Sequence, residues 1–325
     1  MKKIATLVLA LILILGIASV ASAEAHTIAL CNINEKGVFG KLVKKGFEDA
    51  CAERGWNLVY FDNNADGQTA VSNASALALR DDIEFCVNMV VDASVGQSVM
   101  DILTEAGIPV LAVDISLPGA PFFGIDSGKM GTYNGEWVAE WTKENWEGKM
   151  DYCVLITQIA SGDEVNLRVR NSPVAIEAAG VEIGEVIEIE GQNDTAIVQQ
   201  RFTDFLTAHP DAGKIFVFTI NENAGSGVYA AAVTAGRDQD VRVMTSNCGS
   251  PFVDAMYAVE GDTTFFAACA NYPERYGAQV CDLIQTALED GVTLEGVYPC
   301  NMTIVTWDNI AEEYPRDNLP WKDLI

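Results

Sequence analysis

From Thr27 onward the chain alternates two kinds of hydrophobic spacing. TIALC (27–31) is a continuous, partly β-branched apolar run, the pattern of a strand covered on both faces. The stretch FGKLVKKGFEDACAERG that follows places Phe39, Leu42, Val43, Phe47, Ala50 and Cys51 on one helical face, with lysines and acids opposite. Gly55 ends that helix, and NLVYF (57–61) reads as the next strand. The unit recurs through CVNMVV (86–91), PVLAV (109–113), YCVLI (152–156), EVIEI (185–189), KIFVF (214–218) and VRVMT (241–245). The spacing predicts helices over 68–80, 95–106, 130–146, 195–208, 222–235 and 273–290. Apolar strands alternating with amphipathic helices predict an α/β protein with parallel sheets covered on both faces.

There are too many units for one ordinary doubly wound domain, and the repetition restarts near Asp151, after a glycine-bearing stretch at 124–148. The expected fold is therefore two similar doubly wound parallel-sheet lobes. An eight-fold (β/α) barrel would alternate in the same way. TIVTWDN (303–309) is a last strand-like run, and the polar, proline-bearing tail 310–325 reads as surface coil.

Residues 1–23, MKKIATLVLALILILGIASVASA, have two lysines, an apolar run and an Ala-Ser-Ala ending, the pattern of a cleaved export signal. Its hydrophobic core is short for a membrane span, and nothing later approaches the roughly 20 apolar residues such a span needs. A soluble protein working in the periplasm or otherwise outside the cytoplasm is expected.

Removing 23 of the 325 residues leaves 302, enough for one large or two medium domains. The formal net charge of -26 disfavours nucleic acid and anionic lipid as partners. All eight cysteines lie after the leader, and none has Cys-x-x-Cys spacing, which argues against zinc knuckles and thioredoxin-like chemistry. Export permits disulfides, but eight thiols allow about 105 pairings. Cys86 and Cys153 sit within apolar runs, as buried small hydrophobes do.

Catalytic machinery is sparse. His26 lies beside the cleavage site and His209 in TAHPD reads as a turn residue, which removes histidine metal clusters and Ser-His or Cys-His catalysis. There is no nucleophile elbow, phosphate loop or dinucleotide turn. No cofactor, metal site or catalytic residue is expected. What does recur is a polar residue after a strand: Asp92, Asp114, Asn221 and Asn247. The carboxyl ends of parallel strands border the ligand crevice, and amides and carboxylates there suit hydroxyl groups. Each could equally be a turn-former or helix cap.

Four segments, in this order, carry a family resemblance: VFGKLVKKGFEDACAERGWNLVYFD (38–62), GIPVLAVDIS (107–116), LTAHPDAGKIFVFTINENAGSGVYAA (206–231) and TFFAACANYPERYG (264–277). Together they resemble the ribose- and galactose-type periplasmic sugar-binding proteins, the solute receptors of sugar ABC importers. That resemblance, from Thr27 to about Asn309, implies the type I periplasmic binding protein fold. It also implies site roles. Phe39 would stack on a sugar face, and Asp114 would accept bonds from two hydroxyls. Arg170 in NLRVRN would be the arginine of the second lobe, with Arg168 or Asn166 as alternatives. Asn221 and Asn247 would bind hydroxyls from the second lobe and Asn271 from the hinge. The first loop has one aromatic residue where the family often has two. Ile115 stands where the ribose type has arginine, and Asn247 where many relatives have Asp. The galactose-type calcium loop is missing, so no particular sugar follows.

The same resemblance implies three crossings, near Ser127, Asn271 and Asn301. Lobe one would be 27–127 plus 272–300, lobe two 128–271 plus 301–309, and 310–325 a tail. A monomer that captures a monosaccharide or similar polyol and delivers it to the membrane permease of an ABC importer is the leading expectation. Alternatives are a sensor subunit for a chemoreceptor or histidine kinase, and a secreted carboxylate-pair glycosidase.

Overall fold

Aliphatic runs become strands here because both of their faces find cover. In the computed structural model, which describes residues 25–261 and 264–324, β1 (Thr27–Asn32) is buried at all six positions. Ile28 and Leu30 face one helix layer, whereas Ala29 and Cys31 face another. The expected export leader, 1–23, lies outside the described residues.

The first sheet is completed by β2 (Asn57–Asp62), β3 (Phe85–Asn88), β4 (Val110–Val113), β5 (Phe122–Gly124) and a late strand, β11 (Val297–Pro299). Its order is β11-β5-β4-β3-β1-β2, with every pair parallel. Helices α1 (Val38–Arg54) and α9 (Tyr276–Glu289) cover one face, and α2 (Gly67–Leu77) with α3 (Gly96–Glu105) the other.

The second sheet repeats this plan with β6 (Lys149–Thr157), β7 (Glu182–Glu190), β8 (Ile215–Thr219), β9 (Val241–Ser246), β10 (Phe265–Ala270) and β12 (Thr303–Val305), ordered β12-β10-β9-β8-β6-β7. Only β12 runs antiparallel to its neighbour. Helices α4 (Ser127–Asn145) and α5 (Gly162–Ala178) cover one face. Helices α6 (Thr195–Ala208), α7 (Glu222–Thr234) and α8 (Ser250–Val259) cover the other. Two open six-stranded sheets exclude the single barrel. The chain passes from one sheet to the other after β5, after β10 and after β11.

Local chemistry starts and stops these helices. Asp66, Asp126 and Asp194 cap α2, α4 and α6, each accepting from a backbone N–H of the first turn. Among the described residues, no helix is long and apolar enough to cross a membrane. Helix α5 carries Pro173 in its interior, which breaks the helical signal in the sequence. Proline lacks the N–H and normally disrupts a helix, yet here the residue is buried and the helix continues to Ala178.

The tail departs from its expectation as surface coil. After β12 comes the short helix α10 (Ile310–Glu313), and Tyr314 and Trp321 are each only 1% exposed in the core of the second sheet. Tyr314 stacks on Tyr272 at 6.1 Å and meets Trp321 at 5.4 Å. The Tyr257 hydroxyl donates to the Tyr314 carbonyl at 2.7 Å. Large buried aromatics outweigh the polar residues between them, because each removes a large apolar area from water. The tail also reaches the first sheet's helices: Lys41 Nζ on α1 donates to the Leu324 carbonyl at 2.7 Å.

Truncating Trp321 to Ala should cost about 3–5 kcal/mol of stability, as for other buried tryptophans. Chemical denaturation of the two proteins checks this; a loss near zero would mean the tail is not part of the core.

Candidate functional site

Because both sheets are parallel over most of their width, their carboxyl ends each gather a row of loops, and the two rows face one another. Between them is a cleft of about 180 Å³. Its walls come from the loops after β1, β2, β3 and β4 on one side and after β6, β7, β8 and β9 on the other. Larger depressions of about 530 and 580 Å³ lie elsewhere. They open at the amino ends of the strands, around Phe85 and Val110 in one sheet and Lys149 and Glu182 in the other. Ligand crevices in such sheets form at the carboxyl ends, so the smaller cleft is the candidate site.

Asp114 follows β4 in the left-handed backbone region, with φ of 60°, a conformation Asp and Asn tolerate better than most residues. Its backbone N–H donates to the Phe123 carbonyl at 3.0 Å. Gly124 must be glycine: with φ of 141°, a Cβ there would stand 2.6 Å from Asp114 Oδ1. The Tyr276 hydroxyl donates to Asp114 Oδ1 at 3.0 Å, and Asn271 Nδ2 donates to that hydroxyl at 2.7 Å. A hydrogen-bonded chain thus runs from the crossing after β10 to the end of β4. Phe39, in the first turn of α1, meets Tyr276 edge-on at 6.2 Å and borders the cleft.

From the other wall, Arg168 reaches in from α5 while only 7% exposed, its Nε donating to Ser127 Oγ at 3.2 Å. Asn221 does two jobs at once. Its Oδ1 caps α7 by accepting from the Ala224 N–H at 3.0 Å, while its Nδ2 donates to Asn193 Oδ1 at 2.9 Å. Asn247, at φ 69°, borders the same cleft. Next to it is a chamber of about 10 Å³ shared by Phe39, Asn247, Asn271, Glu222 and Glu274. Asn247 Oδ1, Asn271 Oδ1, Glu222 Oε2 and Glu274 Oε2 are buried without a hydrogen-bond partner. Buried acceptors left unpaired cost free energy, so this end of the cleft favours a guest with hydroxyl or N–H donors.

Burial raises the Asp114 carboxyl above the ordinary carboxylate range, although Arg168 and the Tyr276 hydrogen bond pull it down. Burial raises Glu222 likewise, opposed by its own backbone, the Asn247 hydrogen bond and Arg168. Among the described residues no group of three or more His, Cys, Asp or Glu could hold a metal ion.

The structure brings Phe39, Asp114, Asn221 and Asn247 to one cleft, with Asn271 lining the adjoining chamber. Two expected residues fall outside it. Arg170 is held on the outer face, with its Nε and one terminal nitrogen on the Glu188 carboxylate at 2.9 and 3.0 Å and its other terminal nitrogen on Asp163 at 3.0 Å. Arg168, one of the two named alternatives, takes the cleft position. Asn166, the other, braces the loop after β6 by bonding both the N–H and the carbonyl of Gln158 at 2.8 Å. Asp92 turns back on its own loop, accepting from the Ser94 N–H and hydroxyl at 2.9 and 2.6 Å. Sequence reasoning missed Gln158, which follows β6 and lines the cleft; its position after a strand was an available signal. It also missed the role of Tyr276, three residues past a proline, which nothing in the spacing distinguished.

Two doubly wound lobes around a polar cleft define a class of two-lobed α/β binding proteins. Residues 28–291 match the family model described as a periplasmic binding protein domain, and the chain belongs to that family, with the type I periplasmic binding protein fold. Solved structures agree on the fold. A glucose-galactose binding protein from Geobacillus stearothermophilus is 18% identical with a TM-score of 0.72, covering 88% of this chain and 99% of its own. An ABC transporter periplasmic solute binding protein from Actinobacillus succinogenes, solved with D-allose, is 17% identical with a TM-score of 0.75, covering 89% and 100%. A Caulobacter myo-inositol binding protein bound to myo-inositol is 16% identical with a TM-score of 0.73, covering 89% and 96%. No curated protein matches the chain.

A carboxyl whose folded pKa is raised contributes its full stability below its unfolded pKa, and that contribution is lost as pH rises through the folded value. Asp114→Asn keeps the acceptor and the left-handed backbone but removes the charge. Its ligand-free melting temperature should exceed that of the wild type at pH 7, with the gap closing as pH falls toward 4. Thermal unfolding across that range checks the sign; a variant less stable at pH 7 and equal at pH 4 would refute it.

Proposed function

We propose that this chain is an extracytoplasmic receptor that captures a monosaccharide or similar polyol between its lobes and delivers it to the permease of an ABC importer. One observation carries the reading: Phe39, Asp114, Arg168, Asn221 and Asn247, from five separate segments, converge on one cleft between two sheets. An aromatic ring gives a flat apolar surface for a sugar face. Around it, amides, a carboxylate and a guanidinium supply donors and acceptors for a hydroxylated, uncharged guest. The solved relatives include proteins holding D-allose and myo-inositol, both polyhydroxylated rings.

No covalent step is part of this function. Binding draws the lobes together by bending at the crossings, with lobe one as 27–127 plus 272–300 and lobe two as 128–271 plus 301–309. Ser116 Oγ, in the loop after β4, already meets Glu164 Oε1, in the first turn of α5 on the opposite lobe, at 3.1 Å. The protein acts as a monomer outside the cytoplasm, and the closed form is what the permease recognises.

A ligand that binds only the native state raises the melting temperature with concentration. A panel of aldoses, furanoses, inositols and nucleosides should contain at least one compound that does so. Asp114→Ala, Arg168→Ala and Asn221→Ala should each weaken binding of that compound tenfold or more, about 1.4 kcal/mol, in titration calorimetry. A panel without any shift, or affinity unchanged in all three variants, would overturn the proposal.

A further inference from the structure

All eight cysteines are buried as free thiols, and two of them sit where the halves of lobe one meet. Helices α1 and α9 come from opposite ends of the chain but run in the same direction on one face of the first sheet. Gly46 meets Gly277 and, further along both helices, Cys51 meets Cys281. The helices touch backbone to backbone: a Cβ built on Gly277 would stand 2.1 Å from the Gly46 carbonyl. About one turn further along each helix are Cys51 and Cys281, 2% and 0% exposed and within the same core. A disulfide needs Cα atoms within about 7 Å, a separation that backbone contact one turn away can supply. We propose that Cys51 and Cys281 are joined by a disulfide in the exported protein, stapling α1 to α9.

Their surroundings favour that bond. The two thiols are within hydrogen-bonding reach of each other, and this contact, with a smaller contribution from Arg54, holds the Cys51 thiol below its ordinary range against the effect of burial. The same contact and burial push the Cys281 thiol up. Arg54, on the same helix as Cys51, pairs with Asp282 and donates to the Ala50 carbonyl at 3.0 Å through its terminal nitrogens, while its Nε is buried without a partner, so a cation stands near the Cys51 sulfur. Cys31 and Cys86, on neighbouring strands, also touch, but contact and burial drive Cys86 upward with no cation beside it.

The oxidant is a disulfide, carried by a thiol–disulfide oxidoreductase or a small molecule. The Cys51 thiolate attacks one of its sulfurs, that S–S bond breaks, and the departing thiolate takes up a proton. Cys281 then loses its proton and attacks the Cys51 sulfur, expelling the second thiol. Two hydrogens leave the protein and the oxidant becomes two thiols. Because both sulfurs are covered in the fold, the first exchange at Cys51 occurs while α1 and α9 are still apart, and docking of the helices then brings Cys281 onto the Cys51 sulfur for the second.

The inference relies on the extracytoplasmic placement proposed above for its setting but not for its test. The full chain is refolded in a mixture of oxidised and reduced glutathione, alkylated after denaturation, and mapped by peptide mass spectrometry. The expected product has six alkylated cysteines of the eight, a mass about 2 Da below the reduced chain before alkylation, and a cross-linked Cys51–Cys281 peptide. Its melting temperature should exceed that of the reduced protein by roughly 5 °C or more. Cys51→Ser and Cys281→Ser should each abolish that difference. Eight alkylated cysteines, a cross-link between other residues, or a redox-dependent shift persisting in both variants would overturn the proposal. Ligand-induced stabilisation measured on the same samples reports separately on the receptor function.

Discussion

Taking ionisable side chains out of water at the junction of two sheets is the constraint around which this molecule is organised. Arg168 is buried, and Asp114 and Glu222 are half-buried in the cleft wall, desolvated enough to raise both carboxyls. None forms a direct side-chain ion pair with another: Arg168 spends its Nε on Ser127, and Asp114 takes its bond from a phenol. Burial without full pairing costs stability, and the sheet must hold these groups rigidly for the arrangement to persist. The strain at Asp114 and Asn247, both left-handed, is part of the same bargain, since unusual backbone conformations gather where a surrounding scaffold overdetermines them. A hydroxylated guest would return the missing bonds. In this picture affinity comes partly from supplying those bonds.

The fold was legible because the β-branched runs and the helical periodicity carried the same message in both halves. The strands of the second sheet repeat the order of the first, and the restart near Asp151 falls within the first strand of that repeat. Helix α5 escaped notice for a local reason, since Pro173 interrupts its pattern while tertiary packing holds the helix together. The tail escaped for another. Tyr314 and Trp321 lie seven positions apart in polar surroundings with no helical or strand period to connect them, so their burial depends on a tertiary surface that local spacing does not encode.

The site was partly legible, and the two misplacements have distinct physical origins. Arg168 and Arg170 are two residues apart on one helix, about 200° around its axis, so only one can face the cleft. Which one does is decided by the packing of α5 on α4 and by the hydroxyl of Ser127, neither visible in NLRVRN itself. Asp92 and Asp114 both follow strands, but the serine two residues after Asp92 captures its carboxylate locally. Asp114 also has a serine two residues on, but the Ser116 hydroxyl meets Glu164 instead, and Asp114 takes its bond from Tyr276. Asn221 shows that the bland and the functional reading of a residue can both hold, as a cap and a cleft wall together.

The bond from Lys41 to the Leu324 carbonyl changes the mechanics of the pair of lobes. A clamshell joined by three strands of chain can gape as far as those strands bend. Here a fourth tether, anchored in one half by Trp321 and Tyr314, grips the helix whose first turn carries Phe39. Opening of the proposed lobes would therefore have to break this contact as well as bend the three crossings.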